Sequence, residues 1–141
     1  MTYALSWPLQ EAVYAVLKAA PAVTALAGGH VYDAAPAAKG GAEDMALYAV
    51  IGDETVRNWG SADTPGAEHR LAVNVYAAER SFSAAKALAG AISDVLSSAA
   101  LNPSRGRVVC LSFLAARTRR EERDRVRRIE LIFRVLVEDT A

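Results

Sequence analysis

Between Glu68 and Leu96 the apolar pattern of the chain changes its period. His69, Leu71, Val73 and Val75 alternate with Glu68, Arg70, Asn74 and Tyr76, the two-residue period of a half-buried strand. Ala77 to Arg80 then predicts a corner. Ser81 is placed as N-cap of a helix, its hydroxyl accepting from a backbone N–H that the first turn leaves unpaired. Phe82, Ala85, Leu88, Ala89, Ile92, Val95 and Leu96 recur at helical spacing on one face.

The rest of the chain is read around that unit. Leu9, Val13, Val16, Leu17 and Ala20 form the stripe of a first helix, roughly Trp7 to Ala20, with Pro8 in its first turn, where a missing N–H costs nothing. Pro21 ends it or starts a short turn, Ala22 to Leu26, which Gly28-Gly29 closes. Val31-Tyr32 is a very short strand or an extended link. Ala34 to Asp44 reads as a loop, Leu47 to Ile51 as a strand with Thr55 as its outer limit, and Val56 to Ala67 as a second long loop that carries Trp59. The helix after Ser81 fades at Ser97-Ser98. Arg107 to Leu114 is almost continuously apolar, as in a strand covered on both faces. Ile129, Leu131, Phe133, Val135 and Val137 alternate with Arg128, Glu130, Ile132, Arg134 and Glu138. Between these last two strands lies Arg117 to Arg128, almost wholly charged, which predicts a hairpin with a projecting charged tip. The expected fold is α+β: a mainly antiparallel four- to five-stranded sheet, two main helices packed on one face, and a long projecting hairpin.

Composition narrows this. A chain of 141 residues is the size of one domain, 1–141. Much of its 52% apolar content is alanine, so few large side chains build the core, and oligomerisation would offset the small core. Sixteen basic and sixteen acidic residues cancel, which removes any global pull toward nucleic acid or membrane. There is neither a secretory leader pattern nor an apolar run long enough to cross a bilayer, so the chain is expected to be cytoplasmic and soluble. The single cysteine, Cys110, is flanked by Val109 and Leu111 and reads as a small buried core residue.

The charge is unevenly distributed. Ten of the sixteen basic residues are arginines of the last third, from Arg105 to Arg134, including Arg117, Arg119, Arg120, Arg123 and Arg125. Such a patch can face phosphates. Against that, Glu121, Glu122, Asp124 and Glu130 are interleaved with it, and an ion-pair network is the simpler reading. His30 and His69 have no ligands at metal spacing, and no nucleophile elbow, phosphate loop or acid–base pair is present in the pattern. His69 is expected to point inward. No metal, no cofactor and no catalytic residue is expected.

Four segments do resemble a known family. GGHVYDAAP at Gly28 to Pro36, LYAVIGDETVRNW at Leu47 to Trp59, GAEHRLAVNVYAAERSFSAAKALAGAI at Gly66 to Ile92 and VVCLSFLAARTRREERDRVRRIELIFRVLVE at Val108 to Glu138 are similar to the tail-terminator (tail-completion) proteins of long-tailed phages and of phage-like gene transfer agents. The resemblance implies a structural virion protein of the tail–neck junction and no enzyme. It implies a hexameric ring that stops growth of the tail tube and joins it to the head-side connector, with double-stranded DNA passing through the lumen. Its partners would be further copies of itself, the major tail tube protein and the connector stopper. A stopper or adaptor of the head–tail connector is the alternative in the same setting; a DNA-binding accessory module using the arginine-rich hairpin is the alternative of another class. The family has no catalytic residues to transfer. The expected assembly surfaces are the 34–44 loop, Trp59 with Arg57, and the hairpin tip with Arg117, Arg119, Arg120, Arg123 and Arg125.

Overall fold

Pro21 divides the first helical stretch. In a computed structural model, which describes residues 3–33, 47–78, 82–121 and 126–140, helix α1 spans Ser6–Ala19 and α2 spans Pro21–Ala27. Ala20 between them is extended, with φ −74° and ψ 120°. Proline fits the first turn of α2, where no N–H is needed. Gly28 ends α2 at φ 62°, and its N–H donates to the Thr24 carbonyl. Strand β1 follows (Val31–Tyr32), then β2 (Leu47–Gly60), β3 (Pro65–Ala78), α3 (Phe82–Ser98), β4 (Arg107–Glu121) and β5 (Val126–Glu138).

The five strands form one sheet in the order β1-β2-β3-β5-β4. β1 runs parallel to β2, and every other neighbouring pair is antiparallel. The architecture is therefore α+β, with three helices rather than two and a mixed, mostly antiparallel sheet. Leu9, Val13 and Leu17 of α1, Val23 of α2, and Leu88, Ile92 and Leu96 of α3 share one core with Ile51, Leu71, Val73, Val75, Leu131, Phe133 and Val135. The strand residues among these are alternate positions of β2, β3 and β5, as the period-two pattern requires. No helix among the described residues is long and apolar enough to cross a membrane.

Three expectations are corrected. The 56–67 stretch is not a long loop. β2 and β3 stay paired from Leu47↔Ala77 to Gly60↔Pro65, which leaves only 61–64 to turn. Gly60, at φ 104°, supplies the reversal, and the Ser61 N–H donates to the Thr64 carbonyl at 3.0 Å. Val56 and Trp59 extend the strand through a sequence whose glycine and polar residues suggest a break.

The described parts of the 117–128 stretch, 117–121 and 126–128, are paired strand rather than a projecting tip; residues 122–125 lie outside the described residues. β4 and β5 remain paired to Glu121↔Val126, and β3 accompanies β5 from Gly66↔Glu138 to Ala78↔Val126. The described arms of the hairpin thus lie within the sheet. Arg117, Arg119 and Arg120 tolerate this because they stand on exposed positions of β4.

Cys110, finally, is exposed rather than buried. β4 is an edge strand with register shifts between Val108 and Cys110 and between Phe113 and Ala115. Its apolar residues are therefore not covered on both sides: Phe113 meets Phe133 edge-on, with ring centroids 6.0 Å apart, yet stays exposed. The 34–44 loop and the Ser81 cap lie outside the described residues.

Candidate functional site

The sheet face opposite the helices carries the charge. Its register rows run from Trp59, Gly66, Glu138 and Arg107 at one end to Tyr48, Tyr76, Arg128 and Arg119 at the other. Seven arginines stand on it (57, 70, 107, 117, 119, 128 and 134) against three glutamates (68, 130 and 138), so this face is basic although the whole chain is neutral. The glutamates are engaged. Glu68 accepts from Arg134 and lies 3.9 Å from Arg70; Glu138 accepts from Arg107 at 2.6 Å, and Glu130 from Arg128 at 2.9 Å. The Arg134 hydrogen bond chiefly holds the Glu68 carboxyl below its ordinary value, against a smaller opposing effect of burial. Arg128 also donates to the buried Asn74 at 3.0 Å. Arg117 and Arg119 make no ion pair with any described residue.

The residues expected at assembly surfaces fall into three places. Arg57 and Trp59 lie near one end of the basic face, Arg117 and Arg119 near the other. They share a face without forming one cluster. Trp59 is half-buried because its ring crosses Gly66, where a Cβ would stand only 3.1 Å from Trp59 Cε3. Arg120 belongs to the helix-side register, opposite Arg127, whose guanidinium carbon lies 4.9 Å from the centre of the Phe82 ring. Arg123 and Arg125 lie outside the described residues.

A second polar group was not legible in the sequence. His69 is fully buried on the helix side, as expected, but it has a partner: Nδ1 lies 3.0 Å from Glu54 Oε2. The Ser6 hydroxyl donates to Glu54 Oε1 at 2.5 Å. Burial would raise the Glu54 carboxyl, but the hydrogen bonds from His69 and Ser6, with the nearby imidazole charge, bring it below its ordinary value. The carboxylate stands between hydroxyl and imidazole. A nucleophilic triad needs the imidazole in the middle, so this order ties α1 to the sheet and does not activate Ser6. The signal was hidden by the register shift between Gly52 and Glu54, which turns Glu54 inward against simple alternation. No group of three or more metal-binding side chains occurs among the described residues.

Residues 11–138 match the family described as Tail completion protein gp17. Among solved structures, the chain is similar to one in the virion of a native gene transfer agent particle. The two are 41% identical with a TM-score of 0.85, and the match covers 97% of this chain and 99% of that one. No curated protein matches.

Proposed function

The chain belongs to the tail completion protein gp17 family, and on that premise we propose that it is a structural virion protein whose copies form a hexameric ring, end the tail tube and join it to the head-side connector, with double-stranded DNA passing through the lumen. The observation that carries this reading is the end-to-end likeness, at 41% identity, to a chain of a gene transfer agent virion. It supports a place in such a particle, with tail tube and connector proteins as neighbours. The long edge strand and the basic sheet face are consistent with a protein completed by assembly. The test is to add the purified chain to tails that lack it. Ring-shaped caps at one tail end, and tubes of fixed length, are expected. Binding to filled heads but not to tails would instead identify a connector stopper.

The excess of arginine on one sheet face supports a second reading, a DNA-binding accessory module. It requires the isolated single chain to bind duplex DNA tightly, with an affinity that falls steeply with salt. A terminator through which DNA slides needs no such affinity in its free subunit.

A further inference from the structure

We propose that the ring closes by edge-to-edge strand pairing: β4 of one copy adds antiparallel to the stretch 52–60 of β2 in the next. The inference rests on the ring reading and says how the ring is held.

β4 is the last strand of the sheet, so its outward backbone groups along fifteen residues have no ladder partner among the described residues. Strand edges are ordinarily defended by charge or proline. Here, after Arg107 at the start of the strand, no charge occurs until Arg117. Before them, Val109, Phe113 and Leu114 are 41%, 45% and 42% exposed, and Cys110, Ala115 and Ala116 are exposed as well. An apolar open edge of this length needs a partner.

The chain offers that partner on its other side. β1 covers β2 only at Ala49 and Val50. Among the described residues the stretch 52–60 has no further partner on that side and forms the second open edge, level with the apolar half of β4. One register row runs Val56, His69, Val135, Leu111; another runs Ile51, Val73, Leu131, Ala116. The part of β4 level with β1 is the charged part, from Arg117 onward. Polarity fits too. Across β2, β3, β5 and β4 each strand is antiparallel to the last, so β4 opposes β2 in direction. Placing a second copy beside the first continues the alternation without a break.

The side chains are complementary in that level register. Leu111 comes beside Val56, Ser112 beside Thr55, and Cys110 beside Arg57. Arg107 comes beside Trp59, a cation against an aromatic ring, and no two like charges meet. The two surfaces differ, so the contact is head-to-tail and propagates into a closed ring rather than stopping at a dimer.

The native Cys110 makes the register testable. Directly opposed strand residues are within disulfide reach, and neighbours one residue away point to the other face. Arg57→Cys in the full-length protein, treated with a mild oxidant, is expected to give a ladder of covalent multimers on a non-reducing gel. Arg57→Cys with Cys110→Ser, and Asn58→Cys with Cys110 intact, are expected to give none. Leu114→Lys, at an exposed position, is expected to lower the ring population at least tenfold without changing the melting temperature of the single chain. A ring by native mass measurement with no Arg57→Cys ladder overturns the edge pairing and leaves the ring standing. Covalent dimers of the unaltered protein through Cys110 place β4 against β4 and also overturn it. A single-chain mass for every form, with tail tubes present, overturns the ring itself.

Discussion

Glu54 is the point at which α1, β2 and β3 are tied together. Ser6 and His69 both depend on its carboxylate, and His69 Nε2 has no hydrogen-bond partner among the described residues. Glu54→Gln leaves one buried partner unsatisfied, so a loss of about 1–3 kcal/mol is expected near neutral pH. The pH dependence follows from the direction of its shift. The folded carboxyl titrates below its ordinary value of 4.5, so the ionised form contributes stability above that value. This contribution is lost as pH falls through the folded value. Denaturant melts of the two proteins should therefore be separated at pH 6–7 and converge below pH 4; a gap that widened on acidification would refute the assignment. Gly106 is the other exacting residue. At φ 87° it sits where a Cβ would stand 2.8 Å from Leu5 Cδ2 and 2.9 Å from the Glu138 carbonyl oxygen. Gly106→Ala combines backbone strain, which alone costs about 1–3 kcal/mol, with that crowding. A melting temperature close to that of the parent would show the turn before β4 to be softer than its contacts imply.

At the scale of elements, legibility tracked how cleanly a segment obeyed one period. The 68–96 unit was readable because β3 and α3 have one apolar face each, and the observed elements differ from the reading mainly at their ends. β2 and β4 were cut short for opposite reasons. In β2 a register shift after Gly52 changes which side each residue faces, and the glycines and polar residues near its end imitate a loop. In β4 a charged run looked unfit for a sheet, although an edge strand exposes it harmlessly. Beyond the antiparallel β4–β5 hairpin the strand order was not legible, since it depends on long-range pairing that local pattern does not encode. Of the candidate site, arginine abundance was readable, but its division between faces needed the register. Trp59 illustrates the consequence. As a loop residue it would matter only to a partner; as a strand residue crossing Gly66 it also holds the β2–β3 end together. Trp59→Ala is therefore expected to cost about 2 kcal/mol in the single chain, roughly half the value for a fully buried aromatic. Under the proposed pairing it also weakens the ring, and Trp59→Phe restores the monomer stability first. Unchanged chemical denaturation of the monomer would confine Trp59 to assembly.

At the scale of the molecule, neutrality conceals a separation of charge between faces. Helices occupy one side of the sheet and the arginine-rich rows the other. If the proposed ring closes through these edges, the thicker helical layer would need the larger circumference, which would turn the arginine rows toward the bore. Most of those arginines are held by glutamates of the same face, which limits their grip on phosphate, while Arg117 and Arg119 remain without an ion-pair partner among the described residues. A bore of this kind would attract duplex DNA weakly and release it with salt, a useful compromise for a channel. Assembled rings are accordingly expected to retard short duplex DNA at low ionic strength, and single chains to do so far less, because only the ring presents every copy of the face to one duplex. Replacing Arg117 and Arg119 together by serine should lower the affinity of the ring and flatten the slope of log affinity against log salt, while the native mass of the ring stays the same. An unchanged slope in an intact ring would mean that the arginine face looks outward, and that tube or connector proteins rather than DNA meet it.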